Sequence, residues 1–154
     1  MNIVGPSTQR EREVEAILRS LPLWFGIEKA LVMYVADSAS KPTFGAEVSG
    51  QLIGFLTLSH HFPHSWEVHC MAVAASSRNK RVGTALLQRA EHYVRSQGGR
   101  FLQVKTVAET SPSAEYAQTR QFYLAKGFTP LEVFPTLWDP WNPALQLIKA
   151  LNAA

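Results

Sequence analysis

The chain has 154 residues, 46% of them hydrophobic and 18% charged, and its 15 basic and 12 acidic side chains leave a net charge of +3. Eight Phe, four Trp and four Tyr give apolar bulk for one packed core, which excludes a disordered chain, and the apolar run at 30–36 is far too short for a membrane helix. The lone Cys70 excludes a disulfide framework or a thiolate-rich zinc site, and the slight basic excess does not point to nucleic acid. The first ten residues lack a basic segment followed by an apolar run, so no signal peptide and a cytoplasmic location are expected, with no membrane or nucleic-acid partner.

Pro6, Ser7 and Thr8 are helix-start residues, and 8–21 reads as an amphipathic helix with Val14, Ile17, Leu18 and Leu21 three or four apart. Pro22 ends it, and 23–29 reads as a short turn or helix covering one end of the core. Residues 30–37, 43–49, 52–59 and 66–73 read as strands, rich in β-branched and aromatic side chains and bounded by turn residues. Residues 80–97 change to helical spacing through Leu86, Leu87, Ala90 and Val94, with Glu91 and Arg95 as a surface pair, and Gly98-Gly99 stops them. A strand at 101–108 follows, then a helix at 113–126 between Pro112 and Gly127. Strands at 128–137 and 144–151 flank a Trp/Pro loop at 138–143, a lid over a pocket or a dimer contact. No linker or repeat divides the chain, so residues 1–154 are expected to form one domain. Strand 66–73, helix 80–97 and strand 101–108 make a βαβ unit with parallel strands.

The chemistry concentrates at the turn from strand 66–73 into helix 80–97. A helix start carries unpaired backbone N–H groups and the positive end of the dipole. Gly83 leaves the backbone open there, and Arg78, Lys80 and Arg81 add charge, so the loop suits an anion such as pyrophosphate. Upstream, Glu67 and His69 alternate with Val68 and Cys70 and share a strand face. His60 and His61, adjacent on an extended segment, point to opposite faces, so no metal site is expected, and Cys70 reads as a core residue.

These residues resemble the GCN5-related N-acetyltransferase (GNAT) family. Its cofactor motif, Arg/Gln-x-x-Gly-x-Gly/Ala after a strand ending apolar-Ala-Val, is matched by Met71-Ala72-Val73 and then Lys80-Arg81-Val82-Gly83-Thr84-Ala85. A second motif, Tyr-x-x-x-Gly-Phe, is matched by Tyr123 to Phe128. Lys80 replaces the usual Arg or Gln, keeping charge without the forked donors, and Tyr116 replaces a common Asn seven residues before the motif Tyr. The resemblance spans roughly residues 31–151.

The resemblance implies a mixed α/β fold: a mostly antiparallel sheet of about six or seven strands, a cofactor-binding βαβ unit at 66–108 and helices on both faces. It implies acetyl-CoA as co-substrate, no metal, and transfer of acetyl to a primary amine on a small molecule or peptide. Met71, Ala72 and Val73 would line the pantetheine arm as an added strand would. The amides of Arg81, Val82, Gly83, Thr84 and Ala85 would hold the pyrophosphate, with Arg78, Lys80 and Arg120 adding charge. Tyr123 would donate to the departing thiolate. Glu67 would take the amine proton, and His69 is the rival base because imidazole titrates near neutrality. A non-catalytic acyl-CoA-binding module would need the cradle but neither Glu67 nor Tyr123. A homodimer is compatible with the pattern.

Overall fold

Apolar spacing of three and four builds α1 (Glu11–Arg19), whose Val14, Ile17 and Leu18 are buried. It is part of a computed structural model that describes residues 1–152; the last two residues of the expected domain lie outside the described residues. The segment 30–37, expected as a strand, is instead most of helix α2 (Glu28–Ser40). An apolar run of this length fits either period. Leu31, Tyr34, Val35 and Ser38 decide it: spaced i, i+3, i+4 and i+7, they turn inward, while Val32 and Met33 face solvent.

The seven described strands follow the order β1-β2-β3-β4-β5-β7-β6. They are β1 (Asn2–Val4), β2 (Thr43–Val48), β3 (Gln51–Phe62), β4 (Ser65–Val73), β5 (Phe101–Val107), β6 (Thr129–Asp139) and β7 (Asn142–Ala150). The three-residue β1 was too short to show as a strand pattern, and it takes the place of the strand expected at 30–37. Only β4 and β5 run parallel, joined across the sheet by α3 (Val82–Ser96); every other pairing is antiparallel. Helix α4 (Ala114–Ala125) packs on β5. Its N-cap Ser113 accepts from the Tyr116 amide at 3.3 Å.

Helices cover both faces. Val82, Leu86, Leu87, Ala90 and Val94 of α3 share one cluster with Leu56, Leu58, Trp66, Val68 and Tyr123. On the other face α1 and Leu31 of α2 pack with Leu52, Phe55, Cys70 and Ala72. Fully burying each Leu of this kind contributes about 1.5–3 kcal/mol. Glu91, expected on the surface with Arg95, is buried: the Lys149 ammonium of β7 donates to both its oxygens at 3.0 Å. No helix among the described residues is long and apolar enough to cross a membrane.

One irregularity shapes the middle of the sheet. Thr57 pairs with Cys70 and Leu58 with Val68, leaving His69 as the extra residue of a β-bulge. The bulge reverses the alternation of β4. Trp66 and Val68 point toward α3, whereas Cys70 and Ala72 point toward α1 and α2. Pairing of β4 with β5 also ends there, at Val68↔Val104, although β5 stays paired with β7 as far as Val107. The two parallel strands therefore part at His69 and open a wedge.

Candidate active site

The wedge is the floor of a cleft of about 1240 Å³. It is walled by the α1–α2 connection, the start of α3, the inner side of α4 and the β6–β7 hairpin. Of the expected cofactor residues, Met71, Ala72, Val73, Arg78, Arg81, Val82, Gly83 and Thr84 line it. Beyond Val68 the edge of β4 that faces β5 has no strand partner among the described residues, so its backbone groups are open to an extended guest.

At the start of α3 the chain turns through two left-handed residues, Asn79 (φ 62°) and Arg81 (φ 61°). Arg81 is the N-cap and supplies no side-chain cap, so the first amides of the helix remain available to an anion. The nearest neighbours of a Cβ on Gly83 would be the Phe122 ring at 3.4 Å and the Met71 side chain at 3.9 Å. The fold itself thus tolerates a side chain there; the glycine keeps the backbone bare toward the cleft. Two expected contributors fall away. The Ala85 amide donates to the Arg81 carbonyl at 3.1 Å, the first turn's own bond, and Ala85 does not line the cleft. Lys80 is exposed and likewise outside the cleft lining.

Glu67 and His69 both line the cleft. Glu67 is tied down: the Lys105 ammonium donates to Oε2 at 2.9 Å, and His61 Nε2 lies 2.6 Å from Oε1. His69 is held differently. Its Nε2–H donates to Asp37 Oδ2 of α2 at 2.7 Å, and Tyr34 packs edge-on against its ring with centroids 5.4 Å apart. A carboxylate on one ring nitrogen fixes the tautomer and leaves the other as acceptor. Burial pushes the Tyr34 phenol up to about 12, with Cys70, Tyr116, Glu67 and Asp37 adding to the rise. Burial also drives the Cys70 thiol well above its ordinary value, which keeps it unreactive. Asp37 was missed in the sequence because its segment read as a strand.

On the opposite wall Tyr123 is almost fully buried yet borders the cleft. The rings of Phe122 and Phe128 pack edge-on against it, with centroids at 5.2 and 5.3 Å. Burial pushes its phenol above the ordinary value, so the hydroxyl keeps its proton at neutral pH. Arg120, expected to offer charge along the cofactor, does not. It is buried, its Nη1 donates to the Val107 carbonyl at 2.6 Å, and it is absent from the cleft lining. It ties α4 to the end of β5.

The α1–α2 connection, expected as a core cover, is a wall of the cleft. Trp24 Nε1–H donates to Thr119 Oγ1 and the Glu115 carbonyl, each at 3.2 Å, and Tyr116 Oη–H donates to the Trp24 carbonyl at 2.9 Å. Tyr116, in the motif Asn position, thus anchors this wall, and the Arg78 guanidinium rests over the Trp24 ring at 4.5 Å. The Trp/Pro loop shrinks to a tight turn. Asp139 Oδ1 accepts from the Trp141 and Asn142 amides at 2.9 Å, Trp138 lines the cleft, and Trp141 faces solvent.

No curated protein sequence matches the chain. Among solved structures, a GNAT-family protein from Desulfovibrio desulfuricans superposes with a TM-score of 0.83 at 19% identity, over 98% of this chain and 99% of that one. An aminoglycoside 6'-N-acetyltransferase complexed with coenzyme A superposes with a TM-score of 0.78 at 19% identity, over 100% and 99%. The ribosomal-protein-S18-alanine N-acetyltransferase from Escherichia coli gives 0.78 at 14% identity, over 99% and 95%. At such identities the likeness is one of fold. The family model for the acetyltransferase (GNAT) family matches residues 12–128, most of the described chain, and carries the assignment. With its split parallel pair and open helix start, the chain belongs to the GNAT family of acetyltransferases.

Proposed function

We propose that the chain is an acetyl-CoA-dependent N-acetyltransferase of the cytoplasm. It would acetylate a primary amine, on a small molecule or a peptide, by direct attack. The observation that carries this reading is the wedge between β4 and β5, with His69 at its apex, Tyr123 on one wall and uncapped α3 amides at one end.

The residues present fit the cofactor. Val82, Gly83 and Thr84 would hold its pyrophosphate through backbone N–H groups, with Arg78 and Arg81 adding positive charge. The open edge of β4 from Met71 to Val73 would pair with its pantetheine arm. Acetyl-CoA supplies an acetyl thioester whose cleavage by a neutral amine gives an amide and a free thiol.

An amine is mostly protonated at neutral pH and must lose its proton before it can attack. His69 serves as the base, its ring fixed by Asp37. Glu67 is less free for that work, since Lys105 and His61 hold both its oxygens. An amide on the open edge of β4 near Met71 would donate to the carbonyl oxygen as charge builds there. Tyr123, kept protonated by burial, would donate to sulfur.

The test is a pair of measurements on the purified chain. Acetyl-CoA should raise the melting temperature by mass action, and an amine library should then release free thiol. If acetyl-CoA leaves the melting temperature unchanged at saturating concentration, the reading fails.

A further inference from the structure

The acetyltransferase reading leaves the acceptor open, and the far wall of the cleft narrows it. We propose that the acceptor is a small primary amine with an aromatic or apolar body and no second positive charge. This rests on the acetyltransferase reading. It sets the chain apart from enzymes that take polycations such as aminoglycosides or polyamines.

The first observation is the surface the acceptor would meet. Trp24, Phe25, Met33 and Tyr34 line the cleft from the α1–α2 side, Tyr34 against the His69 ring, and Leu137 and Trp138 line it from the β6–β7 hairpin. Phe25, Tyr34 and His69 form a chain of edge-on contacts, with centroids 6.0 and 5.4 Å apart. Trp138 is 46% exposed, so it has ring surface left to cover a guest. Flat apolar surfaces bind flat apolar bodies by area, and a ring face can hold one ammonium before it gives up its proton.

The second observation is charge. Among the described residues the cleft lining holds two carboxylates, Glu67 and Asp139. Lys105 and His61 hold Glu67, and the Asn142 amide group and two backbone amides hold Asp139. Of the three cations that line the same cleft, Arg78 and Arg81 belong to the proposed pyrophosphate site and Lys105 is held by Glu67. Hydrogen bonds from neutral amides leave Asp139 its charge, so a polycation would find one lining carboxylate without a cation partner, too few for several extra ammonium groups. A monoamine brings one charge and loses it on reaction.

The experiment compares thiol release from acetyl-CoA by the full chain with tryptamine, phenethylamine, kanamycin and spermidine. The melting shift given by coenzyme A is recorded on the same preparation. The expected kcat/KM for the two aromatic amines exceeds that for both polycations by about tenfold or more, and Trp138→Ala raises the KM for tryptamine by about fivefold or more. Preference for kanamycin or spermidine overturns the proposal. So does a coenzyme A shift without release by either aromatic amine, an outcome that leaves cofactor binding standing. Absence of the shift removes the acetyltransferase reading and this proposal together.

Discussion

His69 of β4 and Asp37 of α2 are 2.7 Å apart, Nε2 to Oδ2, across the space between the sheet and the second helix. Both side chains are about three-quarters buried, at 23% and 24% exposure, so the contact is shielded but reachable from the cleft. Asp37 does not line the cleft; in the proposed mechanism it would act through the imidazole. Asp37→Asn should lower kcat by about 10- to 100-fold and leave the coenzyme A melting shift in place. His69→Ala should lower it by about 10²- to 10⁴-fold. Two residues serving one step are not additive, so Asp37→Asn should cost nothing further once His69 is Ala. A full additional loss in the double variant would make Asp37 a structural residue only. Glu67→Gln should cost less than His69→Ala; the reverse order would move the base to Glu67.

The history of that pair marks how far the sequence reaches. The proposed phosphate site was legible because its signals are local: a strand, a basic turn, Gly83 and a helix stripe all lie within about 30 residues. His69 was legible as a strand residue beside Glu67. Its partner was not, because the run from Leu31 to Ala36 carries either period and only packing against α1 selects the helix. The spacing of Leu31, Tyr34, Val35 and Ser38, with Pro42 just beyond, was the signal available. The bulge at His69 lies beyond sequence reasoning, since it exists only as an offset between two strands. Arg120 shows the opposite failure. Its place on the helix was read correctly, but its partner, the Val107 carbonyl, carries no sequence signature.

Gly83 separates stability from binding. Its φ lies outside the left-handed region, and a Cβ there makes an ordinary contact with Phe122 at 3.4 Å. Gly83→Ala should therefore leave the unliganded protein as stable or more stable, by up to about 1 kcal/mol, because alanine favours the helix. The coenzyme A melting shift should shrink in the same variant, and Gly83→Val should abolish it. A Gly83→Val protein with the full wild-type shift would remove the α3 start from the binding site.

Alkaline pH should unfold the chain through its buried phenols and thiol. Burial raises Tyr34, Tyr116, Tyr123 and Cys70 above their ordinary values. For such groups the unfolded chain loses its protons first as pH rises, so the native state holds more protons and stability falls with pH. Their contribution is complete below the ordinary thiol and phenol values of about 8.5 and 10, and is lost as pH climbs from there toward the raised native values. Denaturant melts from pH 7 to 11, followed with tyrosinate absorbance, should show the midpoint falling above about pH 9–10. A midpoint that stays level across that range would contradict the burial of these groups.

Tyr123 permits the cleanest single-atom test. Its ring is packed edge-on between Phe122 and Phe128 and belongs to the α3-side core. Tyr123→Phe keeps the ring and removes only the hydroxyl, so stability should change by less than about 1.5 kcal/mol. Because burial holds the phenol protonated, the wild-type hydroxyl is a donor throughout the neutral range. In the proposed mechanism its removal would leave the sulfur to depart without a proton, and kcat should drop by about tenfold or more. Coenzyme A affinity should hardly move, since the hydroxyl matters most as sulfur gains charge in the transition state. A loss confined to KM would make Tyr123 a binding residue. A Tyr123→Phe enzyme turning over at the wild-type rate with an unchanged pH profile would show that the hydroxyl serves packing alone, and the proton for sulfur would have to come from water in the wedge.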